Sequence, residues 1–354
     1  MNEANMPKTV LVTGATGYVA GWVVKRLLEQ GHTVHAAVRD PSRKDKIAHL
    51  DAMAVDLPGQ IAYFKSDLLE PGSYTQAMQS CEIVFHTASP FTLNVTDPQR
   101  DLVDPAVKGT RNVLASVEAT ASVQRVVLTS SCAAIYGDNA DMAHKPAGHF
   151  TEADWNTSSS LDHQPYSYSK VEAEKAAWAM AETQSRWELV VVNPSLVLGP
   201  GTRAEATSES FNIMRQMGDG TFKTGAPNLR LGAVDVRDVA EAHVSAGLTP
   251  KAHGRYIVSG TDSGLLGIAA ILRREFGPDW PFPSRKLPKW LVWLVGPLAD
   301  KTLSRKMIAR NVGWPLAFDN SKSKTELGIT YRALEESVRD MFQQLIDNKV
   351  VEKP

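Results

Sequence analysis

The stretch Thr9-Val10-Leu11-Val12-Thr13-Gly14-Ala15-Thr16-Gly17-Tyr18-Val19-Ala20 decides the fold class. Its first five residues read as a short buried strand, and Val19, Val23, Val24, Leu27 and Leu28 repeat behind it at helical spacing. Strand, glycine turn and helix in that order are the context in which such glycines bind a dinucleotide. Gly14 permits the tight turn, Gly17 lets the backbone approach a pyrophosphate, and Ala20 is small where helix and strand pack closely. The helix N-terminus then faces the phosphates. An ordinary strand-to-helix loop would account for the glycines alone, but the two flanking periods argue against it.

Working outward, Thr33-Val34-His35-Ala36-Ala37-Val38 reads as a second strand, followed directly by Arg39. An acidic residue there would hydrogen-bond the ribose hydroxyls of NAD. Arginine instead takes the extra phosphate of NADP through a charge-assisted contact. Arg39, with Lys44 a turn away, predicts NADP(H) as cofactor. Asp40, before Pro41, predicts an N-cap with proline at the first helical position. The run Arg43, Lys44 and Lys46 has a plainer reading as a solvated helix face.

Residues 61–67, 82–86 and 125–131 are strand-like and alternate with helical patterns. Val107, Val113, Leu114 and Val117, with Pro105 near the start, give one such crossover helix. Repeated strand-helix units build a parallel sheet, so the predicted class is α/β, a Rossmann-type doubly wound parallel sheet. Ligands of such sheets sit beyond the carboxyl ends of the strands, where Asp67, Thr87 to Ser89 and Thr129 to Ser131 fall. His86 reads as a packed or backbone-bonded imidazole rather than a metal ligand.

Tyr166 and Lys170, in Tyr166-Ser167-Tyr168-Ser169-Lys170, are four apart and share one face of a helix. A phenol, with an ordinary pKa of about 10, is a poor acid or base near neutrality, and an adjacent ammonium favours its anion. The pair is thus a candidate proton-transfer device. Alone, it would equally suit a half-buried aromatic beside a solvated lysine. A hydroxyl at the end of the Leu128 strand, beside that pair, is placed to hold a carbonyl oxygen.

Five blocks together carry a family resemblance: residues 12–19, Val38-Arg39-Asp40-Pro41, residues 127–131, residues 166–174 and Asn193-Pro194-Ser195-Leu196-Val197-Leu198-Gly199-Pro200. The chain resembles the extended short-chain dehydrogenases/reductases, and within them the dihydroflavonol reductase, cinnamoyl-CoA reductase and methylglyoxal (aldehyde) reductase group. The likeness spans the first 200 residues and then thins to residues 234–240. It implies Ser131, Tyr166 and Lys170 as catalytic residues, with Ser130 as the alternative register for the serine. It further implies a cofactor site of Gly14, Thr16, Gly17, Tyr18, Val19, Arg39, Lys44, Asp67, Leu68, Thr87, Ala88, Ser89, Thr129, Tyr166, Lys170, Pro194, Ser195 and Val197. Lys170 would bond the nicotinamide ribose, and Pro194 and Ser195 would lie against the nicotinamide. Cys132-Ala133-Ala134-Ile135-Tyr136 and the Ser89-Pro90-Phe91 loop depart from the plant flavonoid enzymes, so a flavonoid substrate does not follow.

A chain of 354 residues, 43% hydrophobic and with net charge −1, buries a large core and shows no bias towards nucleic acid or anionic lipid. Cys81 and Cys132 are too few for a disulfide framework, and the first residues lack a signal peptide's apolar core, so a cytoplasmic location is expected. The apolar patch Trp290 to Leu298 falls short of the roughly 20 residues that span a bilayer. It reads as core packing or a substrate-side wall, with no membrane partner. Residues 1–198 are expected to form the dinucleotide-binding domain, with a segment near 228–262 returning to it. Residues 199–354, opened by the glycine- and proline-rich 199–230, mainly form a smaller, discontinuous substrate-binding lobe.

The expected chemistry is NADPH-dependent reduction of a small ketone or aldehyde, reversible as an alcohol dehydrogenase, by a monomer or homodimer. Tyr166 would donate the proton and Ser131 polarise the oxygen. Phe91, Tyr136, Leu196, Phe211 and Trp290 are candidates for an apolar pocket, with core packing as the alternative at each. Other classes stay open. A nucleotide-sugar epimerase or dehydratase would hold NAD and, for dehydration, want carboxylates after the active-site hydroxyl, where Cys132-Ala133-Ala134 stands. A hydroxysteroid dehydrogenase-like enzyme shares the same residues, and a cofactor-sensing regulator would have lost Tyr166 or Lys170.

Overall fold

The computed structural model describes residues 6–89, 95–204, 208–299 and 303–353. Its strands are β1 (Thr9–Thr13), β2 (Thr33–Val38), β3 (Gln60–Lys65), β4 (Ile83–His86), β5 (Arg125–Thr129), β6 (Glu188–Pro194), β7 (Leu196–Leu198), β8 (Ala226–Pro227), β9 (Arg230–Asp235), β10 (Gly254–Val258), β11 (Thr261–Gly264) and β12 (Lys286–Leu287). The helices are α1 (Tyr18–Glu29), α2 (Lys44–Asp56), α3 (Thr75–Met78), α4 (Asp104–Glu118), α5 (Pro165–Ala181), α6 (Glu209–Gly218), α7 (Val236–Leu248), α8 (Leu265–Phe276), α9 (Lys289–Ala299), α10 (Arg305–Asn311), α11 (Ser321–Glu326) and α12 (Leu334–Asp347).

Seven strands form one sheet in the order β10-β6-β5-β4-β1-β2-β3, every neighbouring pair parallel. Alternation along β1 explains why both faces are covered. Val10 and Val12 point to a core shared with Val23, Val24 and Leu27 of α1 and Val239 of α7. Leu11 points the other way, to Val113 and Val117 of α4 and Ala177 of α5. Each fully buried aliphatic side chain here contributes about 1.5 to 3 kcal/mol. The chain runs outward from β1 to β3 and then returns to β4, so strand order reverses between β1 and β4. At that reversal the crossovers leave to opposite faces and a crevice opens beyond the strand ends.

After β6 the chain leaves the sheet. Leu198, Phe211, Met214, Ile268, Leu272, Met341 and Phe342 make a second core under α6, α8 and α12. A three-stranded sheet, β11-β9-β7, and the pair β12-β8 belong to this lobe. α7 then packs on α1, and β10 pairs beside β6 in the main sheet.

Two expectations are corrected. Asp40 does not cap α2: its Oδ1 accepts from the Ser42 N–H at 2.9 Å and the Ser42 hydroxyl at 2.6 Å, closing a local turn, and the helix starts at Lys44. The 290–298 patch packs on one side only. Val292 joins Ile308 and Val312 in a small cluster, while Trp290, Leu294 and Leu298 stay exposed because short α10 covers a single face of α9.

Candidate active site

Beyond β1 the backbone turns at Gly14 with φ +62°, and a Cβ there would lie 3.1 Å from the Ala88 Cα. Both conformation and contact therefore demand glycine. The Gly17 N–H donates to the Gly14 carbonyl at 2.8 Å, and Gly17 is the N-cap of α1, whose first turn holds no acidic residue. The positive end of a 12-residue helix is thus left for an anion. Thr16 and Val19 flank this turn, half-buried. Tyr18 turns its ring away, edge-on to Phe211 at 5.1 Å, and donates its hydroxyl to the Gly199 carbonyl at 2.6 Å. What Tyr18 offers at the loop is its backbone.

Thr13 ties this turn to the end of β4. Its hydroxyl accepts from the Thr87 N–H at 3.1 Å and the Ala88 N–H at 3.0 Å, and lies 3.0 Å from His86 Nδ1. Two accepted bonds use the oxygen's lone pairs, so its hydrogen goes to Nδ1 and the imidazole proton sits on Nε2. Burial pushes the His86 imidazole down to about 3, and the Lys170 ammonium adds to that. His86 is therefore side-chain bonded, where the sequence suggested packing or a backbone partner. Thr129, at the end of β5, donates to His243 Nε2 at 2.7 Å, and burial lowers that imidazole to about 4. Among the described residues no cluster suits a metal.

Arg39 and Lys44 stand exposed past β2, and neither side chain has a hydrogen bond or ion pair among the described residues. Arg43, by contrast, grips Asp45 at 2.7 and 2.9 Å. Past β3, Asp67 Oδ1 accepts from the Leu69 N–H at 2.8 Å, and Leu68 packs on Gly109 of α4. Past β6, Pro194 ends the strand, and the Ser195 N–H donates to the Val258 carbonyl at 3.1 Å. The Ser195 hydroxyl is buried without a partner among the described residues. Val197 lies in β7.

α5 begins at Pro165, after Gln164 in the left-handed region at φ 55°. The Gln164 amide holds that strained conformation by donating to the Gly137 carbonyl at 2.6 Å and to Asp138 Oδ1 at 2.7 Å. Asp138 is fully buried and also accepts from His163, Asn311 and Arg310. Burial alone would raise its carboxyl, but the bonds from Arg310, His163 and Asn311 outweigh that and hold it below the usual range. So fixed, the helix start presents Tyr166 at 52% exposure. Lys170 Nζ lies 5.6 Å from the Tyr166 ring centroid and donates to Ser89 Oγ at 2.9 Å.

The two serines after β5 differ. Ser130 is buried and donates to Glu174 Oε2 at 2.5 Å. Ser131 is half-buried, and its oxygen accepts from the Ala133 N–H at 3.1 Å. Its hydrogen has no acceptor among the described residues. Glu174 follows Tyr166 and Lys170 on the same helix face, one turn further on, and is completely buried. It accepts from Asn193 Nδ2 at 2.8 Å and Trp178 Nε1 at 3.3 Å. Arg255 Nε, on β10, lies 2.6 Å from Glu174 Oε1, close as an ion pair though not aligned as a hydrogen bond. A cavity of about 20 Å³ between Lys170 and Glu174, walled also by His86 and Thr129, has room for one water.

The pocket candidates scatter. Phe211 and Leu196 belong to the lobe core, and Tyr136 packs on Phe150 and Phe318 at 5.4 and 5.3 Å. Trp290 stands exposed on α9, and Phe91 lies outside the described residues. Sequence reasoning quoted Glu174 and Asn193 without assigning them roles, and it missed Gln164 and Arg255. The i+4 step from Lys170 would have found Glu174.

The sequence profile of the NAD dependent epimerase/dehydratase family matches residues 10–258. A cinnamoyl-CoA reductase of Medicago truncatula is 36% identical over 357 aligned positions, 99% of this chain and 99% of its own. A dihydroflavonol 4-reductase of Gerbera hybrida is 31% identical, over 80% of this chain and 76% of its own. The crystal structure of yeast methylglyoxal/isovaleraldehyde reductase complexed with NADPH matches with a TM-score of 0.79 at 29% identity, covering 97% of this chain and 99% of that one. The glycine turn at the strand-order reversal and the Tyr166–Lys170 helix beside it agree with these matches: the chain belongs to the NAD-dependent epimerase/dehydratase family, the extended short-chain dehydrogenases/reductases.

Proposed function

We propose that the chain is an NADPH-dependent reductase of ketones and aldehydes, reversible as an alcohol dehydrogenase, with Tyr166 as proton donor. The observation that carries this is the half-exposed Tyr166 phenol with the Lys170 ammonium against its ring. The residues fit the cofactor. Gly14, Gly17 and the start of α1 suit the pyrophosphate, and the unpaired Arg39 and Lys44 suit the 2′-phosphate. The unpartnered Ser195 hydroxyl is a polar atom in want of a ligand. NADPH, when bound, supplies the hydride.

The chain's own groups handle the oxygen and its proton. The uncommitted Ser131 hydrogen points the carbonyl oxygen towards Tyr166, whose hydroxyl gives up its proton as that oxygen gains charge. Lys170 opposes the negative charge left on the Tyr166 oxygen, and exposure lets solvent return the proton. An epimerase or dehydratase reading lacks a carboxylate after Ser131. Cys132 stands there instead, buried, with its thiol 3.2 Å from the Asn193 carbonyl oxygen. Both cysteines are buried and free, which suits a reducing compartment. A panel of ketones, diketones and aldehydes scored by NADPH consumption tests the proposal. Turnover of none, or turnover of nucleotide sugars with NAD, overturns it.

A further inference from the structure

α9 carries apolar side chains all round, and α10 covers one side. Trp290, Trp293, Leu294 and Leu298 form an uncovered arc at i, i+3, i+4 and i+8, respectively 67%, 41%, 51% and 87% exposed. Four large apolar side chains together make a patch, unlike single exposed residues. Its surroundings are cationic. Residues 280–318 carry seven lysines and arginines and one aspartate, and of those cations only Arg310 is bound to carboxylates outside this stretch, Asp138 and Asp141, among the described residues. Arg285, Lys286, Lys289, Arg305 and Lys306 are all exposed, and the Arg305 guanidinium lies 4.6 Å over the Trp293 ring at the rim of the arc.

We propose that α9 docks on an anionic bilayer surface. Tryptophan and leucine on one helical face, flanked by lysine and arginine, suit the boundary between headgroups and acyl chains. The four side chains enter that boundary, and the surrounding cations meet acidic headgroups, each adding attraction that salt screens. At 11 residues α9 lies along the surface rather than across it. A second copy fits less well, because a two-fold contact of this face would set its cations against themselves. A small ketone is too small to cover four such side chains, and none of them lines the cavity beside Lys170.

The test is sedimentation of the full chain, loaded with NADPH, with vesicles of phosphatidylcholine alone or with added phosphatidylserine. Binding to the anionic vesicles should exceed binding to neutral ones by about tenfold or more, and should fall with added salt. Leu294→Gln with Leu298→Gln should abolish it while melting temperature and aldehyde reduction stay unchanged. Lys286→Glu with Lys306→Glu reads the same surface without touching its apolar face, and should also remove binding. Absence of anionic-vesicle binding, or binding that survives both double variants, overturns the proposal. So does a wild-type dimer that the leucine variant splits, which would assign the face to a second copy.

Discussion

Lys170 Nζ donates to Ser89 Oγ at 2.9 Å, so α5 is joined to the loop after β4 across the mouth of the crevice. One ammonium thus lies against the Tyr166 ring and holds the loop after β4. Tyr166→Phe should keep the fold and NADPH binding yet lower kcat by at least about 10²-fold, the usual effect of losing a positioned acid. Lys170→Ala should damage turnover and cofactor binding together. Fluorescence titration of NADPH beside steady-state reduction separates the two, and a near wild-type kcat in Tyr166→Phe would move the search to Tyr168 and Tyr136.

The adjacent serines should separate by phenotype. Ser131→Ala removes an uncommitted hydroxyl and should cut kcat by about 10-fold or more, with melting temperature unchanged. Ser130→Ala takes a donor from the buried Glu174 carboxylate and should cost about 1 to 3 kcal/mol of stability. Thermal melts and kinetics of both variants decide the register. A stable Ser130→Ala with kcat lost would reverse the assignment.

Arg39→Asp should raise the KM for NADPH by about 10- to 150-fold, the worth of a charge-assisted contact, and leave that for NADH little changed. An equal effect on both cofactors, or a wild type that prefers NADH, removes Arg39 from the phosphate.

His86 and His243 are buried and neutral, with imidazoles lowered to about 3 and about 4. Unfolded, each would bind a proton near pH 6.5, so between there and the folded values the unfolded chain holds more protons. Their contribution is complete above pH 6.5 and is lost as pH falls. The loss is about 1.4 kcal/mol per unit for each, or about 2 kcal/mol each at pH 5. Urea unfolding at pH 7, 6 and 5 should show the decline. His243→Gln should be less stable at pH 7 but show a shallower slope. An unchanged slope in that variant rejects the account.

What the sequence made legible was local. Gly14 and Gly17 sit three apart and Tyr166 and Lys170 four apart, so strand-turn-helix order and helical period expose them directly. Arg255 reaches Glu174 from 81 positions away, and nothing near either residue announces the other. Asp40 misled because Asp-Pro-Ser serves a turn as well as a helix cap, and the Ser42 hydroxyl won the carboxylate. The 290–298 run gave its composition truly but not its cover, since that depended on how little of α9 the short α10 reaches.

The return of β10 to lie beside β6 also has a meaning in time. During synthesis β6 emerges long before residue 258 does, and at roughly 5–20 residues per second its edge stays open for several seconds. Over that interval a row of unpaired backbone groups between Val190 and Pro194 is available to any passing strand, and the Glu174 carboxylate has no arginine. The edge of β6 is therefore most open to misassociation just before the strand that completes the sheet and brings in Arg255 leaves the ribosome.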